Sequence, residues 1–206
     1  MQSLSVPEII VGRLPLYLRA LSSMVSEGQE ITSSQDLGEY LGISSAQIRK
    51  DLSQFGEFGK QGTGYNINYL IDQLRKILHV DRVWEVVLVG AGDLGRAVAN
   101  YAGFLERGFR IVGVYDNDAE KVGRPIGDFV IEDSSTMMEN IRRDKIQIAM
   151  LAVPAAAAQG LAEILVEAGV RAILCYAPTS LKVSKDVRVQ YIDPVLHLQR
   201  MTYYVP

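Results

Sequence analysis

One cysteine, two histidines and one tryptophan are all that this 206-residue chain has of those residue types. A single cysteine excludes an internal disulfide. Cys175 lies in the apolar run AILCYAP and reads as a buried strand residue rather than a redox thiol. The two histidines, His79 and His197, belong to no recognisable acid–base pair, so a structural or solvent-facing role suits each. No uninterrupted apolar run reaches the roughly 20 residues of a membrane span. The opening MQSLSVPEII has neither the basic start nor the apolar core of a secretory leader, so a cytoplasmic protein is expected. Excess positive charge is missing too, because the formal net charge is −3. Any contact with nucleic acid must come from a local patch and not from a global field.

What is present divides into two halves of different period. Up to about residue 80 the pattern is helical. Leu14, Leu18, Leu21 and Val25 recur at three and four residue intervals, predicting one helix from about Pro7 to Glu27, stopped by Gly28. A second helix follows the Ser33–Ser34 cap, holds Leu37 and Leu41 on one face, and breaks at Gly42. A third starts at Ser44, where Ser44 and Gln47 make a capping-box pair, and runs to about Phe55. The glycines of EFGKQGTGYNI predict a tight β-hairpin with Lys60 and Gln61 at its tip. A fourth helix covers about Ile67 to Leu78.

Beyond Val83, β-branched runs alternate with helices, the grammar of a parallel sheet with crossover helices. VVLVG, RIVGVYD, IQIAMLAV and RAILCYA are the clearest strands. Leu94–Arg107, Thr136–Arg143 and Ala156–Ala168 are the expected helices. The fold class is therefore α/β: a winged helix-turn-helix over 1–80, a Rossmann-type domain over 81–192, and a terminal helix over 193–206.

The segment VVLVGAGDLGRAVANY sets Gly90, Gly92 and Gly95 in a GxGxxG loop between strand and helix. Gly90 permits the turn, Gly92 lets the backbone approach a pyrophosphate, and Gly95 lets helix and strand pack closely. Ala91, Asp93 and Leu94 complete the loop. Asp93 sets a carboxylate near the expected phosphates. Asp116 ends the next strand, twenty-one residues after Gly95. It is suited to accept from ribose hydroxyls and to repel a 2′-phosphate, which favours NAD(H). The alternative is that Asp116 merely starts the Asp116–Asn117–Asp118 turn. A dehydrogenase would need an acid–base group beside the nicotinamide, and none is evident. Binding without turnover is expected, with an NAD-dependent oxidoreductase carrying an accessory helical domain as the main rival and a ligand-binding or CoA-binding-like regulatory module without a DNA role as the third reading.

In SSAQIRKDLSQF, Ile48, Leu52 and Phe55 share an inward face. Ser45, Gln47, Arg49 and Lys50 occupy positions suited to bases and phosphates of a major groove, and Lys60 and Gln61 to the adjacent backbone or minor groove. An ordinary solvated helix face would also carry Arg49 and Lys50. Residues 1–78 hold seven basic and eight acidic side chains, so few phosphate contacts are available.

RLPLYLRAL, QIRKDLSQFGEFGKQGTGY, GAGDLGRAVANYAGF, LAVP, APTSL and YIDPVLHLQRMTYY together resemble the Rex family of bacterial redox-sensing repressors, over nearly the whole chain. The resemblance implies a homodimer that binds palindromic operator DNA when the NADH/NAD⁺ ratio is low and lets go when NADH binds. It implies that the helix of about Asp193 to Tyr204 is exchanged between subunits, although an intrasubunit capping helix would show the same apolar face. It also implies a switch in which Asp193 pairs with Arg19 in the DNA-competent form or with Tyr101 in the NADH form. Gln61 stands where the wing often has arginine, and Pro194 follows Asp193 where relatives carry Phe or Leu. An apolar pocket near Val153, Pro154, Ala177 and Pro178 would favour the neutral nicotinamide ring of NADH over the charged ring of NAD⁺.

Overall fold

The computed structural model describes residues 6–59 and 64–205. The chain divides into two compact units, Met1–Arg82 and Val83–Pro206.

In the first unit the expected opening helix is two helices, α1 (Glu8–Val11) and α2 (Leu14–Ser26). Pro15 in the first turn of α2 is the reason: it has no N–H to give and its ring would strike the carbonyl four residues back, at Val11. By length and hydropathy Glu8–Ser26 meets the criteria for a membrane span. Here it builds the core instead, burying Leu14, Tyr17, Leu21 and Met24. Val25, expected on that stripe, is exposed, and Met24 takes its place. Strand β1 (Ile31–Thr32) leads into α3 (Ser34–Leu41), where Ser33 and Asp36 form a reciprocal capping box. Gly42 ends α3 at φ 68°, the left-handed turn that glycine accepts without strain. Helix α4 (Ser45–Leu52) follows at once, capped by the Ser44 hydroxyl. Ser44 accepts from the Gln47 N–H, but the Gln47 side chain does not return to Ser44; it turns to Asp51, so the predicted capping box is only half formed.

Strand β2 (Tyr65–Asn66) pairs antiparallel with β1, and the expected hairpin tip lies outside the described residues. A Cβ on Gly59 would lie 2.6 Å from the Gly64 carbonyl oxygen, so the loop's ends do approach one another. Lys60 and Gln61 lie outside the described residues. Helix α5 (Ile67–Ile77), capped by Asn66, closes the unit by burying Ile67, Leu70, Ile71 and Leu74 against α2.

The second unit is a seven-stranded sheet ordered β5-β6-β4-β3-β7-β8-β9. Its strands are β3 (Trp84–Val89), β4 (Phe109–Asp116), β5 (Pro125–Ile126), β6 (Phe129–Asp133), β7 (Ile148–Leu151), β8 (Ala172–Cys175) and β9 (Arg188–Tyr191). Only the β5–β6 pair is antiparallel. Counting the parallel strands alone, the order is 3-2-1-4-5-6, the doubly wound dinucleotide-binding topology. Helices α6 (Asp93–Ala99), α7 (Met137–Asp144) and α8 (Ala155–Ala168) cover its faces. Along β3, Val87 and Val89 pack with α7 and α8, while Val86 and Leu88 pack with α6, as a strand buried on both sides requires. Cys175 is buried in the first of these layers, and burial pushes its thiol up in pKa.

The helix expected over Leu94–Arg107 stops at Ala99 and resumes as a 3₁₀ segment, Ala102–Arg107. Tyr101 turns extended between them, with its hydroxyl 2.6 Å from where a Gly103 Cβ would stand, and its ring edge-on to Phe104 at 5.1 Å. The last helix, α9 (Pro194–Thr202), buries no residue.

Candidate functional site

The order of the parallel strands reverses between β3 and β7, and in this topology ligands bind outside the carboxyl ends of the strands there. A cavity of about 410 Å³ opens at that place. Gly90 and Gly92 form its floor, Asp116 and Asn117 one side, and Val153 and Pro154 the other. Gly90 has φ 101°, and a Cβ there would strike the Ala152 carbonyl, so only glycine fits. A Cβ on Gly95 would strike the Gly90 carbonyl, which shows how closely α6 lies on the β3 turn. A Cβ on Gly92 would meet nothing within 4 Å. That position faces the cavity, and its space is open to a ligand.

Asp116 joins the two sides of this loop. One carboxylate oxygen accepts from the Ala91 N–H at 2.7 Å and the other from the Asp118 N–H at 2.9 Å. The Asp116–Asn117–Asp118 turn is therefore real, and the same carboxylate also lines the cavity and fixes the glycine loop. Burial alone would raise its pKa, but the Ala91 and Asp118 N–H groups and the nearby Lys121 ammonium outweigh burial and hold it below the usual carboxylate range. It is ionised at neutral pH and keeps lone pairs for a ribose hydroxyl. An anionic hydrogen-bond acceptor beside an open glycine turn fits an adenosine dinucleotide without a 2′-phosphate.

Lys121, which no sequence motif marks, sets its Nζ 3.4 Å from both Asp116 and Asp118 and lines the cavity with Ser134 and Leu161. These residues are distant from the glycine motif, and only the fold brings them to it. Of the residues expected around the nicotinamide, Val153 and Pro154 line the cavity. Ala177 is buried in the core and does not, and Pro178 is exposed outside the lining. Strand β8 has ended at Cys175, and the chain there turns Ala177 back toward the core. Asp93 and Leu94 are exposed and outside the lining; Asp93 sits in the first turn of α6, where its charge suits the helix dipole.

In the first unit, α3, the Gly42 turn and α4 form a helix-turn-helix. Gly38 is buried at the crossing, where a Cβ would lie 2.5 Å from the Ile43 carbonyl oxygen. Ile48 and Leu52 are buried, Phe55 packs partly against them, and Ala46, Arg49 and Lys50 face solvent, with Ser45 half-buried. Arg49 donates to the Ser34 hydroxyl at 2.9 Å, so its guanidinium is held over the start of α3. Gln47 differs from expectation: its amide donates to Asp51 at 2.7 Å and its donor is committed inward.

Asp51 is the charged residue of α4 that its sequence position left without a role. It is fully buried and accepts from Arg13 Nη2 at 2.7 Å, Arg13 Nε, Tyr17 Oη at 2.6 Å and Gln47. Burial works to raise its pKa, yet these donors together hold it below the ordinary value. The Tyr17 hydroxyl is pushed up, by burial first and then by the neighbouring carboxylate.

Of the residues proposed for the switch, Arg19 is exposed on α2 and Tyr101 is about half exposed. Asp193 caps α9 by accepting from the Val195 N–H at 2.9 Å. Among the described residues, no hydrogen bond joins Tyr101 to Asp193 within their unit.

Comparison with known proteins agrees with both halves of this description. Residues 5–53 match the family described as "Putative DNA-binding protein N-terminus", and residues 81–179 match "CoA binding domain". The redox-sensing transcriptional repressor Rex of Chloroflexus aggregans is 50% identical over 199 residues, 97% of this chain and 94% of its own. That of Carboxydothermus hydrogenoformans is 43% identical over 205 residues, 100% of this chain and 99% of its own. The crystal structure of RSP in complex with β-NAD⁺ and operator DNA superposes with a TM-score of 0.92 at 38% identity, over 97% of this chain and 92% of that one. RSP in complex with β-NADH gives 0.90 at 35% identity, over 98% and 94%. At this identity over this much of both sequences, the chain belongs to the Rex family of redox-sensing transcriptional repressors.

Proposed function

We propose that this protein represses transcription by gripping operator DNA while NADH is scarce and releasing it when NADH fills the cavity at the end of β3. The observation that carries the reading is the pairing of a helix-turn-helix unit with an ionised Asp116 beside an open glycine turn. The full-length likeness to a Rex-family repressor studied with operator DNA and with NADH supports it. It acts as a binder rather than an enzyme.

Gly90, Gly92 and the start of α6 would cradle the pyrophosphate, Asp116 would accept from the adenosine ribose, and Val153 and Pro154 would face the nicotinamide end. The bound dinucleotide supplies one thing, a ring that is cationic when oxidised and neutral when reduced. An apolar wall is suited to the neutral form because it cannot repay the desolvation of a charge. Arg49, Lys50 and Ser45 would read or straddle the major groove, with Lys60 and Gln61 on the wing. Arg19, Tyr101 and Asp193 would carry the switch by exchange of partners.

A homodimer joined through α9 accounts for that helix's surface. Val195, Leu196, Leu198 and Met201 are each more than half exposed, an apolar face left uncovered by the described residues of its own unit. Two such subunits would place two recognition helices on successive major grooves and demand a palindromic operator. Shifting a two-state dimer from roughly 1:99 to 99:1 takes about 5.5 kcal/mol of differential binding, so binding at both cavities is expected to contribute.

The test is a gel shift on a palindromic duplex selected from a random pool by the wild-type protein, with NAD⁺ or NADH added. NADH is expected to release the duplex and NAD⁺ to leave it bound; equal grip in both would reject the reading. Arg49→Ala should weaken the complex by about 1–3 kcal/mol while NADH affinity stays unchanged. Retained binding would remove Arg49 from the interface. Asp116→Ala should weaken NADH at least about tenfold, or 1.4 kcal/mol, read by quenching or enhancement of NADH fluorescence. An unaltered dissociation constant would unseat it.

A further inference from the structure

Helix α4 carries a single carboxylate, Asp51, immediately after the two cations that face solvent. A carboxylate on a helix that approaches a polyanion works against binding, because its charge repels phosphates through a medium of lowered dielectric. Here it is turned wholly inward, and both of its oxygens are occupied. Arg13 grips it as a two-pronged fork from just before α2, 38 residues away in sequence. Tyr17, one turn further along α2, donates from a ring that is itself fully buried. Gln47, one turn back on α4, donates to the oxygen that Arg13 Nη2 also reaches.

Apolar packing does not require this arrangement. Ile48 and Leu52 already bury α4, and well-packed apolar residues in place of a buried ion pair are often as stable or more so. Directional bonds add something that apolar contacts lack: they fix the roll of the helix about its axis. Side chains on a helix reach about 5–6 Å from that axis. A roll of about 20° therefore moves their tips by about 2 Å, enough to lose a hydrogen bond whose useful range is 2.7–3.2 Å. Arg49 and Lys50 lie two and one residues before Asp51, so what fixes Asp51 fixes them.

We propose that Arg13, Tyr17 and Gln47 form a clamp on Asp51 that sets the DNA-reading pose of α4 and neutralises its carboxylate. They are positioning residues that act through α4. The proposal rests on the operator-binding reading, which the wild-type protein on its selected duplex tests separately.

The experiment compares full-length wild type, Tyr17→Phe and Arg13→Lys at a temperature well below each protein's melting transition. Fluorescence anisotropy is measured on the selected palindromic duplex and on a scrambled duplex of equal length, at one salt concentration. Both variants are expected to lose at least tenfold in affinity for the palindrome, to change less than twofold on the scrambled duplex, and to bind NADH as wild type does. A merely structural role would lower the melting temperature and leave the ratio of the two affinities untouched, and that result overturns the proposal. Equal losses on both duplexes overturn it as well. Should Tyr17→Phe show no folded transition, Arg13→Lys decides alone, since it keeps the charge and removes the fork.

Discussion

Replacing Asp51 by alanine is expected to destabilise the N-terminal unit by about 3 kcal/mol, at the lower end of the cost of breaking a buried ion pair. The lower end applies because the Arg13 side chain is one-fifth exposed and can recover some hydration. The buried Tyr17 hydroxyl cannot, and an unpaired buried hydroxyl costs roughly 1–3 kcal/mol by itself. For a unit of this size the loss corresponds to a fall on the order of 15 °C in melting temperature, read by calorimetry. A fall under about 5 °C would show that the donors find water or new partners. The pH dependence has a definite sign. The Asp51 pKa is lower folded than unfolded, so its stabilisation is complete above the unfolded value of about 3.9 and is lost as pH falls through that value toward the folded one. Wild type and Asp51→Ala should therefore converge below about pH 4 and stand furthest apart near neutrality.

The oddity of Asp51 stood in the sequence, although the outward cations of the same helix drew the reading away from it. It follows Ile48 by three residues and precedes Leu52 by one, inside the apolar stripe of its helix, where a carboxylate needs an explanation. Its partner Arg13 was not legible, because 38 residues and two turns of chain separate them and no period in the sequence encodes that meeting. The same contrast runs through the fold. The glycine loop and Asp116 form a local strand–turn–helix–strand unit whose parts meet because they are close in sequence, and the motif described them well. Lys121, Ser134 and Leu161 reach the cavity from separate elements, and Ala177 turned away from it for reasons visible only in three dimensions. Strands β6 and β9 escaped notice because FVIED and RVQY are short and carry charged or polar residues, as strands toward a sheet edge often do. Pro15 was a readable sign that the opening helix must break, and the strong leucine periodicity around it concealed the sign.

Gly95→Ala and Gly92→Ala should separate packing from ligand contact within the one loop. At Gly95 the added methyl would enter the Gly90 carbonyl, a backbone group that cannot rotate aside, and Gly90 is itself fixed against Ala152. Relief requires α6 to lift from β3, so a cost of about 3 kcal/mol is expected, the upper end for an overpacked site. NADH affinity should fall roughly a hundredfold or more, about 2.7 kcal/mol, because the same shift opens the turn. At Gly92 nothing lies within 4 Å and the backbone is ordinary extended chain, φ −76° and ψ −168°, so alanine fits with stability nearly unchanged. If the pyrophosphate rests against that backbone, the methyl occupies its place, and NADH should weaken at least about tenfold, or 1.4 kcal/mol, with no change in melting temperature. Calorimetry and fluorescence titration on the two variants read both quantities. Wild-type NADH affinity in Gly92→Ala would move the dinucleotide away from the loop, whereas wild-type stability in Gly95→Ala would mean that the contact between α6 and β3 is looser than its geometry implies.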